Sequence, residues 1–175
     1  AVTPNCEETI VLFLATTSIG AIWSSCSPDF GVDAILSRFQ NIEPTCLIFA
    51  DTYTFKGKHI NVSTTMETII KKLPTLTCAL QLDRLTVEKN HIKTTLYSSL
   101  QKQFKPQPLT YTYVSFNDPL YILFSSGTTG KPKAIVHSVG GSLLEHIKEQ
   151  RLHCDLTRND VLFYYTSCSW MMWNW

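Results

Sequence analysis

Between Ser125 and Lys133 the chain reads Ser-Ser-Gly-Thr-Thr-Gly-Lys-Pro-Lys, with an apolar stretch on either side. Ser125, Ser126, Thr128 and Thr129 bring four hydroxyls, and Lys131 and Lys133 add two ammonium groups. The six small residues from Ser125 to Gly130 let the backbone come close to a ligand and turn its N–H groups towards one point. Donors and cations so concentrated balance the clustered negative charge of a polyphosphate. The order is not the Walker pattern GxxxxGK[ST]. Gly127 and Gly130 stand too close together, Pro132 occupies the place of the required Ser or Thr, and the segment that follows reads as strand rather than helix. A plain glycine-serine turn is the bland alternative, but such a turn does not call for this many donors between two buried strands.

A loop of this kind has to be held by regular elements, and the rest of the sequence supplies them. The apolar run from Tyr121 to Phe124 and the run from Ala134 to Val136 predict the two strands that enter and leave the loop. Upstream, Pro4-Asn5 followed by Glu7-Glu8 opens a helix over residues 5–20, with acidic side chains at its positive end. Ala21 to Ser25 reads as a short strand. Ile35, Phe39 and Ile42 lie at helical spacing and predict a helix over 31–42 that Pro44 ends. Cys46 to Ala50 and Cys78 to Leu82 are continuous apolar runs of buried-strand length, and Thr64 to Leu73 is an amphipathic helix stopped by Pro74. Residues 84–112 show no clear period and read as a surface excursion, with a short helix near Tyr97 to Gln103; a further helix is expected over Ser142 to Leu152. Strand and helix alternate, so the fold class is α/β, with a mostly parallel sheet flanked by helices and a strand–loop–strand phosphate-binding hairpin.

Composition excludes several function classes. Fifteen basic and fourteen acidic residues leave a net charge of +1, and no charge block exceeds two residues, so neither a nucleic-acid surface nor a polybasic membrane patch is written here. The apolar stretch from Thr9 to Trp23 is shorter than the ~20 residues that span a bilayer and follows glutamates, so it reads as a buried core helix rather than as a signal or anchor. Six widely spread cysteines with no CxxC pattern fit free, buried thiols in a reducing cytosol, which makes the expected location cytoplasmic. His146 and His153 stand seven apart, yet no carboxylate or cysteine completes a ligand set, so no metal site is assigned to protein side chains. Ala1 opens the sequence and Trp173-Asn174-Trp175 closes it within an aromatic run, so residues 1–175 read as part of a larger domain.

The run SSGTTGKPKAIVH resembles the phosphate-binding signature of the adenylate-forming enzymes, [ST]-SG-[ST]-TG-x-PK, at every position from Ser125 to Lys133. The resemblance implies that Ser126, Gly127, Thr128, Thr129 and Gly130 contact the β- and γ-phosphates of ATP, with Ser125 and Lys131 beside them and Lys133 ordering the loop or neutralising charge. It also implies Mg²⁺ bridging phosphate oxygens and protein hydroxyls. Over most of the chain the sequence is similar to the acetoacetyl-CoA synthetase branch of that family, through the runs GAIWSSCSPDFG and HSVGGSLLEHIKEQRLHCDLTRNDVLFYYTSCSWMMWNW. Where acetate-activating relatives carry a Val-Thr pair in the acyl pocket, this chain has Met171 and Met172, so the resemblance places Trp170, Met171 and Met172 in that pocket. It places Ser27, Pro28 and Asp29 against coenzyme A, with Lys58 at a second basic position, Phe55 where the first would be, and Lys56 as its substitute. The implied partners are small molecules: acetoacetate, ATP and coenzyme A. A related ligase acting on another short-chain acid, and an inactive nucleotide-binding module, are the alternatives. The family's Mg²⁺-binding glutamate segment, ribose-binding aspartate and lid domain with its catalytic lysine find no match, so no catalytic residue is assigned.

Overall fold

Hydrogen-bonded strand pairing gathers the segments of this chain around a parallel sheet. The computed structural model describes residues 1–82, 94–125, 130 and 132–175. Strands β1 (Cys46–Ala50), β4 (Cys78–Leu82) and β5 (Thr94–Leu96) form this sheet in the order β1-β4-β5, all parallel. Strands β6 (Pro119–Ser125) and β7 (Lys133–Ser138) make an antiparallel hairpin, and β2 (Thr52–Phe55) pairs antiparallel with β3 (Lys58–Asn61). Two short bridging segments relate the parallel sheet to the β6–β7 hairpin. Val2 bridges both Phe49 and Cys26, donating to the Ile48 carbonyl at 2.7 Å, while Trp23 bridges Tyr121.

Both faces of β1 are covered, which is why its sequence is continuously apolar rather than alternating. Leu47 and Phe49 are buried against α2 (Val32–Phe39) and α3 (Ser63–Lys71), whereas Ile48 packs on the opposite side against Trp23, Tyr121 and Leu123. Helix α2 contributes Ile35, Leu36 and Phe39, and α3 contributes Met66, Ile69 and Ile70. Each such side chain, fully buried, stabilises the fold by about 1.5–3 kcal/mol. Asp33 in the first turn of α2 and Arg38 in its last oppose the helix dipole. The start of α3 is capped from one residue further back, where the Asn61 Oδ1 accepts the Ser63 amide at 2.9 Å. At the far end of β1, the buried Asp51 carboxylate accepts from the Gln81 amide at 3.0 Å and ties β1 to β4.

Several expectations are corrected. Ala21 to Ser25 is not a strand: only Trp23 pairs, through its amide to the Leu120 carbonyl (3.1 Å) and its carbonyl to the Ile122 amide (2.8 Å). The Thr9–Trp23 stretch is not one buried helix either. Helix α1 (Glu7–Ser18) ends before it does, buries Thr9, and leaves Ile10, Val11 and Leu14 about half exposed. Its packing runs through Phe13, whose ring meets Trp23, Tyr121 and Trp173. The cysteines are all free, but Cys46, Cys78 and Cys154 are exposed; only Cys26 and Cys168 are buried. The excursion after Arg84 contributes β5 to the parallel sheet before α4 (Tyr97–Gln103), which falls where the sequence puts it. Helix α5 (Val139–Lys148) starts three residues earlier than expected, because Ser138 accepts the Gly141 amide as N-cap (3.1 Å), and a π-helical turn over Glu149–His153 follows it. A last short helix, α6, spans Met171–Asn174.

Candidate functional site

The β6–β7 hairpin positions the donor-rich loop. Along β6 the buried positions alternate, Tyr121 and Leu123, and this fixes the strand's register because a one-residue slip would turn them to solvent. The pairs Tyr121↔His137, Ile122↔Val136, Leu123↔Ile135, Phe124↔Ala134 and Ser125↔Lys133 follow. Ser125 and Lys133 therefore face each other across the mouth of the loop, a hydroxyl and an ammonium at its two ends. Gly130 has φ +81°, a left-handed conformation that favours glycine. Ser126, Gly127, Thr128, Thr129 and Lys131 lie outside the described residues. Hydroxyl oxygens are the ligand type that a hard divalent cation takes, so the donor set of this motif fits Mg²⁺ held through phosphate oxygens.

On β7 the His137 ring lies 5.1 Å from the Tyr121 ring and 5.8 Å from that of Trp175, centroid to centroid. Burial, and then the nearby His146, lowers the affinity of His137 for a proton; burial does the same for His146. The Nε2 atoms of both imidazoles are buried without a hydrogen-bond partner among the described residues. Arg38, which no motif singles out, reaches from α2 to lie 4.8 Å from the Phe30 ring centroid and 6.0 Å from that of Phe124. A fixed cation thus stands beside the residue that precedes Ser125.

A second group of expected residues meets in a cleft of about 280 Å³. Ser27, Pro28 and Asp29 line one side and Trp170 another, with Tyr53 and Thr54 of β2 between them. Burial, and beyond it the Asp29 carboxylate, raises the Tyr53 phenol above its ordinary range. Tyr53 and Thr54 were not foreseen, because residues 51–58 read as a polar loop. Their signal is the Lys56-Gly57 pair, whose φ values of +48° and +77° make the two-residue turn of a tight hairpin. Lys56 and Lys58 are both exposed at the tip of that hairpin.

Trp170, Met171 and Met172 are not brought to one place. Trp170 lines the cleft, Met171 packs on the Trp23, Tyr121 and Leu123 cluster, and Met172 is exposed. Consecutive side chains in a helix diverge by about 100°, which turns Met171 and Met172 of α6 to different surroundings. Trp173 instead donates from its indole to Asn5 Oδ1 at 3.0 Å. A larger cleft of about 340 Å³ lies between Phe39, Ile48 and Ile122. It holds none of the residues of either group, whereas the smaller cleft brings Ser27, Asp29, Tyr53 and Thr54 together as the few convergent polar groups of a binding site.

The family model described as AMP-binding enzyme matches residues 1–174. The chain is 47% identical over 177 residues to a protein named acetoacetyl-coenzyme A synthetase from Rhizobium meliloti (strain 1021), a match covering 100% of this chain and 27% of that protein. It is 41% identical to acetoacetyl-CoA synthetase of Caenorhabditis elegans, over 98% of this chain and 26% of the relative. Among solved structures it superposes on acetoacetyl-CoA synthetase from Streptomyces lividans with a TM-score of 0.91 and 42% identity, covering 99% of this chain and 27% of that one. The chain thus spans about 27% of the length of such relatives.

Proposed function

Because the chain belongs to the AMP-binding enzyme family, we propose that it supplies the ATP phosphate cradle, and a wall of the coenzyme A and acyl site, of an acetoacetate–CoA ligase. Such a ligase converts acetoacetate, ATP and coenzyme A to acetoacetyl-CoA, AMP and diphosphate. The acid's carboxylate oxygen attacks the α-phosphorus and diphosphate leaves; the coenzyme A thiol then attacks the acyl carbon and AMP leaves. The observation that carries this reading is the Ser125↔Lys133 pairing, which closes the donor-rich loop at its base on a hairpin anchored by the buried Tyr121 and Leu123.

In this reading the loop from Ser125 to Lys133 binds the β- and γ-phosphates and orients the α-phosphorus. Its amides, hydroxyls and lysines offset the charge that gathers on the departing diphosphate. Mg²⁺, when bound, would neutralise part of that charge, and the hydroxyls of Ser125, Ser126, Thr128 and Thr129 are the groups that would hold it beside the phosphates. Ser27, Pro28, Asp29 and Trp170 face coenzyme A and the acyl end from the cleft, with Lys56 and Lys58 at the hairpin tip available to a phosphate of coenzyme A. The chain's location in the cytosol belongs to the same proposal; among the described residues no helix is long and apolar enough to cross a membrane.

Acid-dependent exchange of pyrophosphate into ATP by the intact protein tests the reading. Acetoacetate is expected to support exchange better than acetate, propionate or butyrate. A preference for acetate of more than about tenfold, roughly 1.4 kcal/mol, would overturn the acid assignment, and no exchange with any acid would overturn the ligase. Thr128→Ala, which removes one hydroxyl of the loop, is expected to lower kcat/KM for ATP by about 100-fold, the scale of losing one positioned donor, with far less effect on the KM of the acid.

A further inference from the structure

We propose that Cys46 and Cys78 form a redox-modifiable dithiol, which a low-molecular-weight disulfide such as glutathione disulfide closes into a Cys46–Cys78 bond clipping β1 to β4. The two residues head adjacent parallel strands and are direct register partners. Neighbouring strands lie about 4.8 Å apart, within the roughly 4.4–6.8 Å Cα separation that a disulfide spans. The register at this end is pinned: the Thr45 carbonyl accepts the Thr77 amide (2.8 Å), the Cys78 amide (3.4 Å) and the Thr77 hydroxyl (3.0 Å). The Thr75 hydroxyl donates to the Pro44 carbonyl at 2.7 Å. The pair is therefore held together by the backbone, not by chance meeting of two mobile side chains.

Both cysteines are exposed, so a small oxidant reaches them, whereas Cys26 and Cys168 are buried. Burial of part of the side chain, and then the Cys78 thiol beside it, pushes the Cys46 thiol up to about 11. Cys46 is thus kept as a thiol at neutral pH, so its exchange is slow and the closeness of the two sulfurs, rather than an activated thiolate, is what favours the bond. In the first step the Cys78 thiolate attacks one sulfur of glutathione disulfide, forming a mixed disulfide and releasing one glutathione thiolate. Cys46 then attacks the Cys78 sulfur and releases the second glutathione. Two protein thiols are oxidised, one glutathione disulfide is reduced to two glutathiones, and the two protein protons end on those products.

The test treats the intact, folded protein with glutathione disulfide, blocks remaining thiols, and digests with trypsin without reduction. The expected product joins peptide 39–56 to peptide 73–84, each of which carries one cysteine, and reduction separates them. Exposed Cys154 serves as the comparison and is expected to stop as a glutathione adduct. In Cys78→Ser, Cys46 is expected to stop at that same adduct, and in Cys46→Ser so is Cys78. Separate glutathione adducts on Cys46 and Cys78 in the unaltered protein, continued alkylation of both, or a disulfide from Cys46 to any other cysteine would overturn the proposal.

Discussion

His137 on β7 and His146 on α5 make the stability of this chain depend on pH. His137 and His146 both hold protons less readily than an ordinary histidine, His137 through burial and then its neighbour's charge, His146 through burial despite Glu145. The unfolded chain, with ordinary imidazoles near 6.5, binds more protons than the folded one below that value. Stability contributed by these groups is therefore complete above about pH 6.5 and is lost as the pH falls towards their lowered values. The melting temperature of the intact protein is expected to drop between pH 7 and pH 5, and the double variant His137→Gln/His146→Gln to drop less over the same range. An equal or larger drop in the variant would contradict this assignment. Sequence could name His137, since it follows the motif directly, but not the pairing with His146, which depends on α5 folding back onto β6 and β7. The different surroundings of Met171 and Met172 were not legible for a similar reason: the resemblance places both in one pocket by position, and only the fold shows that a helix begins at Met171.

At the scale of elements, legibility followed burial. Strands β1 and β4 were plain because both faces are covered and the sequence is apolar throughout, and α2 and α3 because one face packs and the spacing records it. The β2–β3 hairpin was missed because its outer residues are polar or exposed; Thr-Tyr-Thr-Phe followed by Lys-Gly carries only the turn as a signal. Ala21 to Ser25 was overcalled because a buried tryptophan and an extended backbone look like a strand even where a single bridge forms. The hairpin also gives an element-level expectation. Gly57 has φ +77° with open space around its Cα, so a side chain there meets backbone strain rather than a clash. Gly57→Ala is expected to lose about 1 kcal/mol of stability, read as a lower urea midpoint. If Lys56 and Lys58 serve coenzyme A, its KM rises severalfold while that for ATP stays within error. An equal rise in both would place the hairpin outside the coenzyme A site.

The surface of the whole molecule bears on how this chain works. A folded monomer of 19.9 kDa is expected to expose roughly 8,700 Å², yet this chain exposes 11796 Å². Large apolar side chains lie on that surface: Ile10, Val11 and Leu14 on α1, Leu143, Leu144 and Ile147 on α5, and Val161, Phe163 and Tyr165 beyond it are all exposed. Patches of this extent on a soluble protein are covered by something. The relatives it matches are nearly four times as long, since the chain spans 27% of their length. The 175 residues expressed alone are therefore expected to bind a hydrophobic dye such as anilinonaphthalene sulfonate strongly, to associate on concentration, and to show no acid-dependent pyrophosphate exchange. The intact protein is expected to bind the dye weakly and to protect the α1 and α5 amides from hydrogen exchange. Acid-dependent exchange by the isolated 175 residues would mean that the phosphate cradle is sufficient for adenylation. The reading in which Ser125 to Lys133 only positions ATP for groups supplied elsewhere would then fail.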